Sequence, residues 1–207
     1  MLEVSDDKPT ACDLKWLAKS WFDSGPDGRS RAIELQRRAI EQASEDDLQF
    51  RVLLLTNLGM FALAGNEYQV AVDAFDQAIE LDPNNALALN NAAFLYTERL
   101  GDPSKALGLA KRASELKPDD PSILDTLGWA QYHLQRFDEA EDALRRSLSL
   151  RDSAVSMYHL ASVLFKQGRL DAAQTYVNRA IELRPDPQTR AEIERLEDDI
   201  RRAQNRE

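Results

Sequence analysis

Apolar residues recur along this chain at intervals of three and four, in blocks of a dozen positions, the spacing that gathers side chains on one face of an α-helix. Leu54, Leu55, Leu58 and Phe61 form one block, and Tyr68, Ala71, Val72, Phe75, Ala78 and Ile79 form the next. Asn66 and Glu67 read as the turn between them. Pro83 ends the second block, because proline lacks an N–H and clashes with the preceding turn. The couplet then returns. Leu89, Ala92, Ala93 and Tyr96 precede Ala106, Ala110, Ala113 and Pro118; Leu124, Leu127 and Gly128 precede Phe137, Ala140 and Leu144; Met157, Leu160, Ala161 and Leu164 precede Leu170, Ala173, Val177, Ala180 and Pro185. Asp102-Pro103, Asp120-Pro121 and Asp186-Pro187 each read as an N-cap followed by the first helical residue.

The ends of these couplets are variants of one phrase: Ile79-Glu80-Leu81-Asp82-Pro83, Ser114-Glu115-Leu116-Lys117-Pro118 and Ile181-Glu182-Leu183-Arg184-Pro185. Their spacing stays within one residue of multiples of about 34, which marks a repeat solenoid. The order large apolar, Leu-Gly, Ala, aromatic, Ala, Pro appears as Leu55, Leu58-Gly59, Ala71, Phe75, Ala78 and Pro83, and again as Leu124, Leu127-Gly128, Ala140 and Leu144. On these residues the chain resembles the tetratricopeptide repeat (TPR) family. The resemblance implies an all-α, right-handed superhelical solenoid of antiparallel helix pairs. Four repeats are expected over 52–85, 86–120, 121–153 and 154–187. A degenerate pair is expected over 13–51, after a tail over 1–12, with Trp16 at the large apolar position and Ala32 and Ala39 at the small ones. Lys19, Ser20 and Gln36 depart from the pattern there. Ile193, Leu196, Ile200 and Ala203 make a thin apolar stripe in 188–207, which suits a C-terminal capping helix with one wet face. Gly59, Ala93, Gly128 and Ala161 fall mid-helix, where glycine costs about 1 kcal/mol relative to alanine. A small residue there lets the paired helices approach, with Ala71, Ala106, Ala140 and Ala173 expected opposite.

In the TPR family the first helices of successive repeats line a concave groove. Carried over by position, that groove would present Thr56, Asn57 and Met60, then Asn90, Asn91 and Phe94, then Asp125, Thr126, Trp129, Tyr132 and His133, and finally Tyr158 and His159. Aromatic anchors carry much of the energy of protein interfaces, and an asparagine amide both donates to and accepts from a peptide backbone. Packing between helices is the competing role for the aromatics. The family's groove that clamps a C-terminal carboxylate uses basic residues where this chain has Leu87, Ser122 and Thr126. Without cations a carboxylate lacks a charge-assisted partner.

Charge narrows the partners. A net charge of −10 over 207 residues argues against nucleic acid, whose binding draws affinity from neutralised phosphates. No apolar run approaches the roughly 20 residues of a membrane span, so direct membrane insertion is not expected, and the acidic start lacks the apolar core of a signal peptide. With Cys12 as the single cysteine, the expected location is cytoplasmic. No P-loop, Gly-x-Gly-x-x-Gly or Gly-x-Ser-x-Gly occurs. Cys12 lies several helices from His133 and His159, too far for a nucleophile pair. The expected function is therefore non-catalytic and free of cofactor or metal: a scaffold that binds a peptide or amphipathic helix in its groove. The alternative is a regulatory or targeting module of a larger enzyme or of a bacterial envelope or polysaccharide assembly system. Self-association through the C-terminal helix is a further option.

Overall fold

A computed structural model describes residues 9–205, so most of the tail expected over 1–12 lies outside the described residues. Those residues form eleven α-helices, one short 3-10 turn and no strand. They divide into two compact units, one ending at Ala92 and one beginning at Ala93.

The first unit holds α1 (Ala11–Asp23), the 3-10 turn (Pro26–Gly28), α2 (Arg29–Gln42), α3 (Leu48–Ala64), α4 (Tyr68–Leu81) and the first half of α5 (Ala86–Glu98). Helix α1 begins inside the expected tail because Thr10 and Asp13 cap each other: the Asp13 amide donates to Thr10 Oγ1, and the Thr10 amide donates to Asp13 Oδ2. Likewise α3 begins at Leu48, ahead of Val52, with Asp47 Oδ1 accepting from the Phe50 amide. Helices α1 and α2 pair, as do α3 and α4. Trp16 is not in the core: it is 65% exposed, while Leu14 and Ala18, one turn apart, are buried. The apolar stripe of α1 is thus rotated from the family register. Gln36 is fully buried, and its Nε2 donates to the Leu54 carbonyl at 2.8 Å.

Close approach within the α3–α4 pair is real, but its partner differs from the expected alanine. A Cβ added to Gly59 would lie 2.5 Å from Phe75 Cε1, so the aromatic ring one turn beyond Ala71 fills the space. In the second unit the expected Ala140 does stand opposite Gly128, through its backbone: a Cβ there would lie 3.1 Å from the Ala140 carbonyl oxygen, with Leu144 Cγ nearer still at 2.7 Å.

The second unit holds the rest of α5, then α6 (Pro103–Leu116), α7 (Pro121–His133), α8 (Phe137–Leu150), α9 (Ala154–Lys166), α10 (Leu170–Glu182) and α11 (Pro187–Gln204). All three Asp-Pro starts behave as expected: Asp102, Asp120 and Asp186 accept from first-turn amides, each with proline just inside the helix. Helix α7 pairs with α8, α9 pairs with α10, and α11 packs on α9 and α10. Ile193 and Ile200 of α11 are fully buried and Leu196 nearly so, in one cluster with Leu160, Leu164 and Val177. The apolar stripe of α11 is thereby covered within its own unit. Its outer face carries Arg190–Glu194 and Arg201–Asp198 ion pairs.

The turns α3–α4, α5–α6, α7–α8 and α9–α10 each place one residue in the left-handed region at the same repeat position: Asn66 at φ 60°, Gly101 at 65°, Gln135 at 60° and Gly168 at 75°. Glycine takes this conformation without steric cost, and asparagine tolerates it. The residue after it bonds back into the first helix, as Glu67 N to Ala62 O and Arg136 N to Gln131 O do at 2.8 and 2.9 Å. The extra residue of the 86–120 repeat is absorbed here, with Leu100 N bonded to Leu95 O and Asp102 N to Tyr96 O.

Candidate functional site

The densest chemistry lies in the second unit, where α7 meets α9. Helical spacing puts Asp125, Thr126, Trp129, Tyr132 and His133 along one side of α7, and Val155, Tyr158, His159 and Ser162 along one side of α9. Trp129 is the hub. Its indole stacks on Tyr132 with ring centroids 4.6 Å apart and on His159 at 3.9 Å, and meets His133 edge-on at 4.8 Å. Its Nε1–H donates to Glu98 Oε1 from the end of α5. His159 Nδ1 lies 3.0 and 3.2 Å from the two oxygens of Asp125. Trp129 and His159 are both nearly buried, at 8% and 7% exposure, so packing between the first helices is a large part of their work.

Over this cluster opens a pocket of about 260 Å³. Phe94, Thr97 and Glu98 of α5 line one side, with Arg99 beside them; Asp125, Thr126 and Trp129 of α7, and Val155, Tyr158 and His159 of α9, line the floor. The last side is Asp186 with Gln188, Thr189 and Glu192 at the start of α11. That helix is therefore more than an end cap: its first two turns form a wall of the pocket.

The field inside is negative. Burial, and after it the Glu192 carboxylate, push the Tyr158 phenol up to about 12. Burial also raises Tyr132. Burial of the His133 imidazole lowers its pKa, with Glu98 pulling it up and His159 adding to the fall. Asp186 is held below the usual carboxylate range, chiefly by the hydrogen bond from the Thr189 hydroxyl.

The expected groove residues divide by unit. In the second, Phe94, Asp125, Thr126, Trp129, Tyr158 and His159 converge on the pocket. Tyr132 stands outside it, on an adjoining shallow depression with Ser162, Phe165 and Arg195, and His133 lies at the end of α7, open to solvent on one side and covered on the other by its edge-on contacts with Trp129 and Tyr132. In the first, Thr56 is buried instead of open to a groove. It is 6% exposed, its hydroxyl donates its one proton to the Val52 carbonyl, and it accepts from Asn85 Nδ2, so burial and these two bonds turn it away from a ligand. Thr126 likewise spends its proton on the Ser122 carbonyl, leaving only its flank to the pocket. Asn91 donates to the Leu87 carbonyl of its own helix at 2.8 Å. Asn57 and Asn90 are half-buried, and Met60 is exposed. The residues that position alone did not nominate are Glu98, Asp186, Thr189 and Glu192. Glu98 had a readable signal in its place one helical turn beyond Phe94; those after Asp186 depend on where α11 docks, which its own sequence does not state.

Paired helices with aromatic and carboxylate side chains on their first members define a class of helical-repeat protein. Family models described as tetratricopeptide repeat match residues 52–85, 74–108 and 126–189, and the chain belongs to the tetratricopeptide repeat family. Among curated relatives, a TPR repeat-containing protein of Pseudomonas aeruginosa is 30% identical over 125 residues, covering 60% of this chain and 20% of that protein. The STIP1 homolog of Dictyostelium discoideum is 41% identical over 96 residues, covering 45% of this chain and 16% of that protein. The chain thus spans a fifth or less of the length of these two relatives. Among solved structures, MamA from Desulfovibrio magneticus RS-1 superposes with a TM-score of 0.71 at 17% identity, over 84% of this chain and 94% of that one. YrrB, described as a TPR protein with an unusual peptide-binding site, superposes with a TM-score of 0.67 at 18% identity, over 90% and 92%. These likenesses show the fold. No helix among the described residues is long and apolar enough to cross a membrane.

Proposed function

We propose that this chain is a non-catalytic protein-interaction module that holds a peptide segment or a helix of its partner against the first helices of the second unit. The observation that carries this reading is the pocket over Trp129, bounded by α5, α7, α9 and α11. It combines aromatic surface with carboxylates on a rigid helical frame, the mixture that small recognition sites use. The peptide-binding site named for YrrB, a protein of like fold, supports the reading. The lining favours no carboxylate clamp: Arg99 is its only formal cation besides a protonatable histidine, set against four carboxylates.

Site-specific photocrosslinking tests it. A benzoylphenylalanine replacing Val155, at the pocket, is expected to capture a partner in extracts of the native organism. The same probe at Asp142, on the exposed side of α8, is expected to capture none of that partner. Capture from Asp142 alone would move the binding surface to the second helices and refute the assignment.

A further inference from the structure

The charge of the pocket says which side chain it accepts. Glu98, Asp125, Asp186 and Glu192 face it together, and among the lining residues only Arg99 carries a fixed positive charge. Two of the four carboxylates retain most of their accepting capacity. Glu98 receives one bond from the Trp129 indole on Oε1, leaving its other oxygen. Glu192 takes part in no ion pair or hydrogen bond among the described residues, although Glu194 and Glu197 on the same helix are both paired with arginines. The Glu98 and Glu192 charges both lie close enough to Tyr158, a wall of the pocket, to act in the direction that raises its phenol. The walls between the carboxylates are apolar or aromatic, from Phe94, Val155 and Tyr158.

A long side chain with an apolar stem and a cationic head matches that layout. The stem packs on the aromatic wall while the head meets the carboxylates. A volume of about 260 Å³, against about 30 Å³ for one water in the liquid, admits the several heavy atoms of such a chain. We infer that the pocket is the anchor subsite for a lysine or arginine of the bound peptide, with Glu98 and Glu192 as the two carboxylates that select it. This rests on the peptide-binding reading above and names the residue that the peptide must supply. A carboxylate-bearing anchor is disfavoured by the same field, and a purely aliphatic one would leave Glu98 and Glu192 facing an apolar group in a narrowed, drier space.

Selection of a random dodecapeptide phage library on the full chain tests the inference. Enriched peptides are expected to share one Lys or Arg at a fixed position. A synthetic copy of the best peptide should bind about tenfold more weakly to the Glu192→Gln and Glu98→Gln variants, the weakening of a charge-assisted contact reduced to a neutral one. Both substitutions keep the side-chain shape, and the amide oxygen introduced by Glu98→Gln still accepts from the indole, so folding checked by circular dichroism should not change. Replacing the fixed basic residue with norleucine should weaken binding to the wild type by a similar factor and abolish the difference between wild type and variants. A Glu115→Gln control on the exposed side of α6 should leave affinity untouched. Enriched peptides without a common basic residue, or peptides that bind Glu192→Gln and Glu98→Gln as tightly as the wild type, would overturn the subsite while leaving peptide binding intact. Enrichment of no peptide at all would overturn both. Spermidine competing as well as the peptide at equal concentration would show a general polyamine site and overturn the peptide assignment.

Discussion

Replacing Gly128 with alanine sets two known effects against each other. Helix propensity alone favours the change by about 1 kcal/mol. The new Cβ, however, would stand 2.7 Å from Leu144 Cγ and 3.1 Å from the Ala140 carbonyl oxygen, where carbon atoms prefer about 3.5–4.0 Å. Leu144 is fully buried and the carbonyl belongs to α8 itself, so neither yields without moving the helix. Overpacking of this kind costs about 1–3 kcal/mol, which leaves Gly128→Ala destabilising by about 1 kcal/mol on balance. The repeats suggest the remedy. At the equivalent positions, Gly59 meets Phe75 and Gly128 meets Leu144, whereas Ala93 is matched by Ala110 and Ala161 by Val177, all four buried. A glycine goes with a large partner and an alanine with a smaller one. Leu144→Val alone removes one buried methylene, about 0.5–1.5 kcal/mol. In the double variant the vacated space receives the new methyl group, so its cost should stay close to that of Leu144→Val and fall short of the sum of the singles by about 1 kcal/mol. Urea unfolding followed by Trp129 fluorescence, in a Trp16→Phe/Trp21→Phe background so that the signal comes from the second unit, measures all four corners. A more stable Gly128→Ala protein, or singles that add to within about 0.3 kcal/mol, would refute the packing account.

Trp129→Ala should destabilise the second unit by about 3–5 kcal/mol in urea unfolding followed by far-ultraviolet circular dichroism, because the indole stacks on two rings and donates to Glu98; a loss below about 1 kcal/mol would show that its burial is incidental. His133 should titrate below the ordinary histidine value in an NMR pH series, and Glu98→Gln should lower it further, since Glu98 favours the charged form. With the folded pKa depressed, the unfolded chain binds the extra proton first, so this group's contribution is present above the unfolded pKa and is lost as pH falls through that value toward the folded one. An elevated His133 pKa would contradict the burial. Gln135→Gly should raise stability by up to about 1 kcal/mol: relief of the left-handed conformation, about 1–2 kcal/mol, is partly offset by glycine's greater freedom in the unfolded chain. Calorimetry showing a lower melting temperature would place the strain elsewhere.

The pattern of apolar positions disclosed the helix pairs because their punctuation is local. Asp-Pro starts and the 83, 118 and 185 prolines act within a turn of where they stand, and their helices begin or end beside them. Trp16 misled because α1 needs few residues to cover its partner, and Leu14 with Ala18 already does so; which face of such a helix turns inward is a tertiary choice. Thr56 misled for a different reason. Repeat position put it on the groove-side helix, but its hydroxyl proton is engaged by its own backbone four residues back and its side chain is buried, and sequence does not tell that rotamer from an outward one. The aromatic cluster was legible residue by residue, whereas the stacking of His159 on Trp129 required α7 and α9 in register. Glu192 was hidden longest, since its place on the pocket follows from how α11 docks.

The recurrent turn of the helix pairs has one further consequence. At Asn66, Gly101, Gln135 and Gly168 the backbone adopts the handedness natural to a D-amino acid. A chemically synthesised second unit with D-alanine at 101 and 168 would keep the native backbone there and restrict the unfolded chain. Mirror-image residues, which ruin a helix interior, would tighten this protein at those places.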